Sequence, residues 1–311
     1  MANPTERSRL MPPRCLWQLF SVRIILYFSL MSGVLIPAFS YEWPVENHAV
    51  TATFGENRWG HFHGGIDIGG GEQEIRPIED GEIIFHYEES DDPNGIPTGL
   101  GNFVVVEHER GIRSLYAHLK PEPAFLQKVS VSKEDVIGII GETGGALGKH
   151  LHLEVFDGEL NRLVNPLELL PDLADGSVPD IDGLYIERDG NTVRLEPRLR
   201  VMQGQWDFII DTYDTSIVNG RIYPVAPYRV FVYVNGREEI ALSFESLEEY
   251  GNDLVLSKSG RITDEQLYID DWRLRLGKLQ LQEGEVQLEV VVSDISGNEV
   301  AETMWISVAG K

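Results

Sequence analysis

Two histidines stand one residue apart in the segment "GKHLHLEVF", residues 148–156. Side chains alternate faces along an extended strand, so His150, His152 and Glu154 would share one face while the apolar residues between them face the core. Imidazole is costly to bury unless its ring nitrogens find partners, and a metal ion is one such partner. An H-x-H pair alone is weak evidence, because most such pairs are structural or incidental.

A second candidate group lies in "HFHGGIDIGGG", where His63 and Asp67 are four residues apart. The glycines Gly64 and Gly65 argue against a helix here. In extended backbone, positions i and i+4 also share a face, so both side chains can converge on one ion. We expect the paired glycines to let the backbone pass close to a ligand or substrate.

A third segment, "SLYAHLK", predicts a strand that carries His118, with Tyr116 on the same face. Tyr116 would either border a groove or cover the core with its ring. Together the three segments bring four histidines and one aspartate to one side of a β structure. Core packing does not explain that combination.

The chemistry that fits is a catalytic zinc site, which takes three nitrogen or oxygen ligands and leaves a fourth position for water. His63, Asp67 and one histidine of the H-x-H pair would supply the ligands. The two remaining histidines would stay uncoordinated, where they can accept a proton and stabilise an oxyanion or a leaving amine. Imidazole and carboxylate ligands favour zinc without excluding other divalent ions.

With these motifs in this order, the sequence resembles the LytM/lysostaphin-type zinc metalloendopeptidases, which cleave peptidoglycan peptides. The resemblance covers about residues 52–171 and runs through "HGGIDI", "EDGEIIF", "GLGNFVVVEHERGIRSLYAHL", "VIGIIGETGGALGKHLHLEV" and "VNPLELLP". It implies one zinc ion held by His63, Asp67 and His152, with His118 and His150 as catalytic histidines. It also implies a compact antiparallel β domain with a groove over the metal.

The sequence departs from the family pattern in two loops. The stretch "EESDDPNGIPTGLG" is long and acidic, and Glu134 stands where the family usually has glycine before the "VIG" strand. We expect these loops to form walls of the groove. Because they differ from the family pattern, the sequence does not predict which peptidoglycan bond is cleaved. Some family members have lost ligands and act as non-catalytic amidase activators, whereas no ligand or catalytic histidine is missing here.

The strand pattern predicts an all-β protein with two domains. Residues 41–171 would form the LytM-type endopeptidase domain, with the Pro/Asp/Gly-rich residues 172–183 as a linker. Residues 184–311 contain about seven strand-like runs, which is typical of an immunoglobulin-like β-sandwich of unknown role. We expect the tryptophans of this second domain, Trp206, Trp272 and Trp305, to lie in its core rather than on a wall-binding surface.

The N-terminal segment predicts export. Four arginines precede a 16-residue apolar run that ends in "AFS" before Tyr41, which is typical of a signal peptide in residues 1–40. An uncleaved anchor is the alternative, although the run is short for a spanning helix. Cys15 is the only cysteine and lies before the apolar run, so a chain cleaved after residue 40 would contain no disulfide or thiolate ligand.

The charge of the chain bears on its partners. Removal of residues 1–40 takes away four arginines and one glutamate and changes the formal net charge from −24 to −27. Such a chain repels nucleic acid and anionic membrane surfaces. We expect a periplasmic or secreted, cell-wall-associated monomer whose partners are peptidoglycan peptides, with a possible cell-wall or protein partner for the second domain.

The predicted function is therefore an exported zinc endopeptidase that hydrolyses peptidoglycan stem peptides or cross-bridges. Two alternatives stay open: a non-catalytic zinc-binding regulator of a cell-wall amidase, and a β-sandwich adhesin with a vestigial metal site. Among the other histidines, His108 and His61 are expected to be structural or solvent-facing. We assign no role to Glu154, which shares the metal-facing side of its strand but is expected to lie beyond the site on a twisted strand.

Overall fold

The computed structural model describes residues 41–58, 60–90, 99–121, 128–173 and 175–310. The predicted signal peptide, residues 1–40, lies outside the described residues. Among the described residues, no helix is long and apolar enough to cross a membrane. In the described ranges, the regular structure is β apart from two single-turn 3₁₀ helices, Glu109–Gly111 and Pro166–Glu168, and the four-residue helix α1, Asp264–Leu267, which confirms the all-β prediction.

The first half of the described chain contributes ten strands. They are β1 (Val50–Ala52), β2 (Gly65–Ile68), β3 (Glu74–Ile75), β4 (Gly81–Tyr87), β5 (Asn102–Glu107), β6 (Ile112–Leu119), β7 (Ser130–Val131), β8 (Gly138–Ile139), β9 (Leu151–Asp157) and β10 (Arg162–Val164). All their pairings are antiparallel, as predicted. The strand expected at "VIG", after Glu134, is reduced to the two residues of β8, which pair with the equally short β3.

Strand β9 is the centre of this half. One edge of β9 pairs with β6, and the other edge is divided between β2 and β10. The apolar side chains Leu151, Leu153 and Val155 are fully buried, as the alternating pattern predicts. The opposite face of β9 therefore presents its polar side chains, next to the polar side chains of β2.

The glycine pair before Asp67 serves strand packing. A Cβ atom at Gly65 would lie 2.2 Å from the carbonyl oxygen of Leu153, so only glycine lets β2 run this close to β9. Gly64 lines the groove beside the candidate centre, and its close approach to a ligand or substrate stays a prediction.

The second half contributes twelve strands to the described residues, and ten of them form a β-sandwich. The twelve strands are β11 (Asp180–Arg188), β12 (Asn191–Arg194), β13 (Arg200–Met202), β14 (Gly204–Val218), β15 (Arg221–Val225), β16 (Arg229–Val234), β17 (Arg237–Ser243), β18 (Ser246–Tyr250), β19 (Asp253–Leu256), β20 (Arg273–Leu281), β21 (Gly284–Ser293) and β22 (Glu299–Ala309). One sheet contains β12, β11, β14, β15 and β20, and the other contains β13, β22, β21, β16 and β17. One apolar core includes residues of both sheets. Strand β11 begins at Asp180, inside the segment expected to be a linker.

Only one of the three tryptophans expected in this core is buried. Trp206 lies in the core, whereas Trp305 is 52% exposed and Trp272 is half-buried in the loop before β20. On β22, the residues before and after Trp305, Met304 and Ile306, are the buried ones. Alternation along β22 therefore turns the ring of Trp305 outward.

The two halves share both a sheet and a core. Strand β10 pairs with β18, so β18 and β19 extend the sheet of the first half. Phe54 and Phe62 of the first half are fully buried in the same apolar cluster as Phe244 and the interior of the sandwich. Because Phe62 directly precedes His63, this shared core bears on the position of the candidate metal ligand.

We therefore expect the two halves to unfold together. Phe244→Ala removes a fully buried ring and should lower the free energy of unfolding by about 3–5 kcal/mol. Ile222→Ala, at an exposed position, is the control and should change it by less than about 0.5 kcal/mol. Urea unfolding measures the size of the effect. Native-state hydrogen exchange should show equal loss of protection in β9 and β16, and a loss confined to β16 would contradict a shared core.

A buried carboxyl in the sandwich makes the stability depend on pH. Burial, together with the nearby Asp294 and Asp175, raises the pKa of Asp214 from 3.8 to about 7. The folded state then holds a proton that the unfolded state releases, so this group stabilises the fold below about pH 4 and its contribution is lost as the pH rises to about 7. Asp214→Asn should raise the free energy of unfolding at pH 8 by on the order of 2 kcal/mol and leave it nearly unchanged at pH 4. Equal effects in thermal unfolding at both pH values would contradict the raised pKa.

Candidate metal centre

Three side chains that the sequence analysis proposed as ligands meet at one point. Asp67 on β2 is the register partner of His152 on β9, and His63 stands two residues before β2. His63 Nε2 lies 3.1 Å from Asp67 Oδ1 and 3.1 Å from His152 Nδ1, and His152 Nδ1 lies 2.9 Å from Asp67 Oδ1. These three atoms form one group that could hold a metal ion.

Each of the two histidines has a second ring nitrogen that points away from this group. The hydrogen bonds of these nitrogens determine the tautomer of each ring. His63 Nδ1 lies 2.7 Å from the carbonyl oxygen of Thr53, and His152 Nε2 lies 3.0 Å from Glu154 Oε1. A carbonyl and a carboxylate can only accept hydrogen bonds, so these two nitrogens carry the ring protons. In the neutral rings, His63 Nε2 and His152 Nδ1 therefore turn bare lone pairs toward each other and toward the Asp67 carboxylate. Three acceptors at this distance repel one another unless a cation lies between them.

The donor set fits a divalent ion such as zinc. Two imidazole nitrogens and one carboxylate oxygen are typical zinc ligands, and ligands about 2.0–2.1 Å from a tetrahedral ion stand about 3.3 Å apart. The observed separations of 2.9–3.1 Å are close to that value. The three side chains line a groove of about 1560 Å³, so an ion held by them would be within reach of solvent or substrate.

The electrostatics of the centre favour a charged ligand set. Burial would raise the pKa of Asp67, but the charges and hydrogen bonds of His63 and His152 outweigh it and hold that pKa well below its usual value. Burial would lower the pKa of His152, but hydrogen bonds to Asp67 and Glu154 raise it to about 9. The Asp67 carboxylate is therefore ionised at neutral pH, ready to bind a cation or a proton.

Two charged residues support the proposed ligands, and the sequence analysis assigned a role to neither. Glu154 accepts the hydrogen bond of His152, which fixes the tautomer and the orientation of that ring. Arg58 Nη2 donates to Asp67 Oδ2 at 2.9 Å, which leaves Oδ1 for the metal position. His152 and Glu154 are two residues apart on a strand, so the sequence already places both on one face. No local sequence pattern predicts the contact between Arg58 and Asp67.

His118 reaches the centre through an irregularity in β6. Its φ angle of +62° is rare for a residue with a side chain, and its N–H donates to Leu100 instead of continuing the ladder. The prediction that Tyr116 shares the face of His118 is wrong for this reason. Tyr116 is fully buried in the core, where its hydroxyl accepts from Ser114 Oγ and the Ile78 N–H.

The rings of His118 and His150 stand side by side above the three ligand atoms, with centroids 4.6 Å apart. The carbonyl oxygen of Thr143 accepts from His118 Nδ1 at 2.9 Å, and that of Gly148 accepts from His150 Nδ1 at 2.8 Å. In both neutral rings Nε2 is therefore the bare nitrogen. His150 Nε2 lies 3.8 Å from Asp67 Oδ1, so it borders the centre without joining the ligand group.

The remaining histidines lie apart from this group. His108 is buried between Ser114 Oγ and the carbonyl of Asp80, and its pKa is lowered chiefly by burial, which fits a structural role. His48 stacks on Trp43, and His61 is exposed at the groove edge. That the two unusual loops wall the groove stays a prediction for residues 91–98 and 122–127, which lie outside the described residues.

The support given by Glu154 can be tested by metal affinity. Glu154→Gln keeps the size of the side chain but weakens the hydrogen bond that orients His152, so zinc affinity should fall by about 10- to 100-fold. Glu159→Gln, an exposed position just beyond β9, is the matched control and should leave the affinity unchanged. Competition with a chromophoric chelator measures both. Equal affinities for the two variants would remove Glu154 from the centre.

Comparison with known proteins places the centre in a family. The sequence model described as peptidase family M23 matches residues 61–166, and a second model, without a functional description, matches residues 178–309. The DD-carboxypeptidase/endopeptidase Mpg of Neisseria meningitidis serogroup B is 38% identical over 95 residues, which are 30% of this chain and 20% of that protein. The murein hydrolase activator NlpD of Escherichia coli is 29% identical over 137 residues, which are 43% of this chain and 32% of that protein.

Solved structures give weaker likenesses. A zinc-containing peptidase from Vibrio cholerae is 26% identical, with 43% of this chain and 40% of that chain covered and a TM-score of 0.35. The catalytic domain of lysostaphin from Staphylococcus simulans is 23% identical, with 35% and 80% covered and a TM-score of 0.31. Scores this low add nothing to the assignment, and this chain spans only a fifth to a third of the curated relatives it matches. On the sequence match and the curated relatives, residues 61–166 are a peptidase family M23 domain of the LytM/lysostaphin type.

Proposed function

We propose that this protein is an exported zinc-dependent endopeptidase that hydrolyses peptide bonds in peptidoglycan stem peptides or cross-bridges. The observation that carries the proposal is the convergence of two imidazole nitrogens and one carboxylate oxygen, from His63, Asp67 and His152, on one point in a groove. His118 and His150 stand beside that point with bare Nε2 atoms. Ligands and proton-transfer groups are thus present in one place.

A bound zinc ion would polarise the scissile carbonyl and make water a better nucleophile. His63, Asp67 and His152 would hold the ion, and Arg58 and Glu154 would keep two of these ligands in position. The groove admits an extended peptide over the centre.

His118 is held in its neutral form with one ring nitrogen free of a proton. Burial and the neighbouring His150 lower the pKa of His118 to about 4, so its ring is neutral at pH 7. Because Thr143 holds the Nδ1 proton, Nε2 is the atom that can take a proton from water in the groove. The protonated ring can then stabilise developing negative charge or return the proton to the leaving amine.

His150 can perform the same task from the adjacent position. Its Nδ1 proton is held by the carbonyl of Gly148, and its ring is more exposed to the groove than that of His118. A pair of imidazoles lets one accept a proton while the other donates, which peptide hydrolysis requires in sequence. The geometry supports both histidines in these roles without dividing the roles between them.

The choice of substrate is supported by the relatives. Mpg is described as a DD-carboxypeptidase/endopeptidase, and NlpD as a murein hydrolase activator. The first description names peptide-bond cleavage and the second names murein, the peptidoglycan of the bacterial cell wall, which lies outside the cytoplasmic membrane. The proposal therefore includes export by residues 1–40, with residues 41–171 as the endopeptidase domain and residues 184–311 as a β-sandwich joined to it through residues 172–183.

The proposal predicts metal-dependent cleavage. The zinc-loaded chain from residue 41 should release new amino groups from purified muropeptides, and a chelator should abolish this. His118→Ala should lower kcat by about 10²- to 10⁴-fold while zinc content stays unchanged, whereas His63→Ala should lose both zinc and activity. His86→Ala, at an exposed position on β4, is the matched control and should retain both.

A second candidate is a zinc-binding activator of a cell-wall hydrolase, which the 29% identity to a murein hydrolase activator favours. The two candidates differ in one result. A zinc-loaded chain that cleaves no muropeptide from several peptidoglycan types, yet stimulates an amidase, would support the activator and contradict the endopeptidase.

A further inference from the structure

The groove over the metal centre has walls from both halves of the chain. On one side stands the glycine-rich segment before β9, where Leu147 is fully exposed. On the other side stand the hairpin of β14 and β15 and the loop that carries Trp272. The β-sandwich therefore contributes directly to the surface that a substrate would meet.

The hairpin is attached firmly to the first half. Ser216 Oγ donates to the carbonyl oxygen of Val50 at 2.6 Å, and Ala226, just after β15, donates its N–H to Thr53 Oγ1 at 3.1 Å. Its tip is a two-residue turn, Asn219–Gly220, with φ angles of 51° and 77°. Two positive φ angles make a turn whose twist matches the strands it joins, so the hairpin holds its shape.

The hairpin has apolar side chains on its outer, solvent-facing side and a charged side chain on the side that faces the groove. Register pairs Val218 with Arg221 and Ile217 with Ile222. The face of Val218 and Arg221 lines the groove, while Ile217 and Ile222 on the other face are 67% and 69% exposed. Arg221 is exposed on the groove side of the hairpin, so its charge can meet a ligand that occupies the groove.

The charges of the groove single out the same residue. Of the residues that the structure describes, three lysines or arginines line it: Arg58, Lys149 and Arg221. Arg58 pairs with Asp67 and Glu56, and Lys149 pairs with Glu72. Arg221 makes no ion pair with any residue in the described ranges, so its guanidinium is the groove cation that remains available to a substrate.

We propose that Arg221 binds a free carboxylate of the peptide substrate and thereby selects anionic peptides. This inference rests on the proposed function. Stem peptides of peptidoglycan carry free carboxylates at their terminal alanine and on their acidic and diamino residues, and a guanidinium binds a carboxylate with two parallel hydrogen bonds. The β-sandwich thus acts as a specificity element of the endopeptidase.

The test compares two synthetic cross-linked stem peptides that differ only in amidation of their free carboxylates. With the zinc-loaded chain from residue 41, Arg221→Ala should raise KM for the free-acid peptide by roughly 5- to 50-fold and change kcat by less than about two-fold. The amidated peptide should already have the raised KM with the unsubstituted chain, and Arg221→Ala should not raise it further. Arg221→Lys should restore part of the affinity for the free acid.

Arg237→Ala removes the same charge from an exposed position on β17, outside the groove, and should leave KM unchanged for both peptides. Equal effects of Arg221→Ala on both peptides, or no effect on either, would overturn the inference.

The same comparison made by calorimetry in the His118→Ala background separates this inference from the proposed function. If no peptide is cleaved by the zinc-loaded chain, the endopeptidase proposal fails, but a free-acid peptide that binds more weakly only when Arg221 is replaced would still support the inference. Identical binding of both peptides with and without Arg221 would overturn it.

Discussion

The repulsion among three lone pairs is the constraint on which the rest of the site depends. His63 Nε2, Asp67 Oδ1 and His152 Nδ1 lie 2.9–3.1 Å apart, and the protons of both rings are held on their far sides. Such an arrangement is stable only with positive charge at its centre. In the absence of metal the raised pKa of His152 lets a proton provide that charge, so a divalent cation and a proton compete for one position.

The β-sandwich is tied to this constraint through the first ligand. Thr53, whose carbonyl holds the His63 ring, bonds through its hydroxyl to Ala226, and the hydroxyl of Tyr268 donates to the carbonyl of Gly55. The shared apolar core anchors Phe62, the residue before His63. The second half therefore helps to position the candidate ligand His63, and it also forms part of the groove wall. Fold, ligand geometry and groove chemistry are coupled in this way.

The sequence predicted the parts of the site that obey local periodicity. Alternation along β9 placed His152 and Glu154 on one face, and the i, i+4 spacing brought His63 next to Asp67. Contacts between distant segments could not be predicted, as for Arg58 with Asp67 and for Arg221 in the groove. Periodicity also failed at His118, because its positive φ breaks the alternation and sends Tyr116 into the core. The pairing of β18, from the second half, with β10 of the first half left no mark in the sequence.

The most direct test is crystallography of the zinc-loaded chain with anomalous scattering at the zinc edge. The account predicts one strong peak within about 2.0–2.2 Å of His63 Nε2, Asp67 Oδ1 and His152 Nδ1, with His118 and His150 uncoordinated. A peak bound by other residues, such as the carboxylates of Asp175, Asp214 and Asp294, would contradict it. So would fully loaded crystals that show no peak among the three atoms.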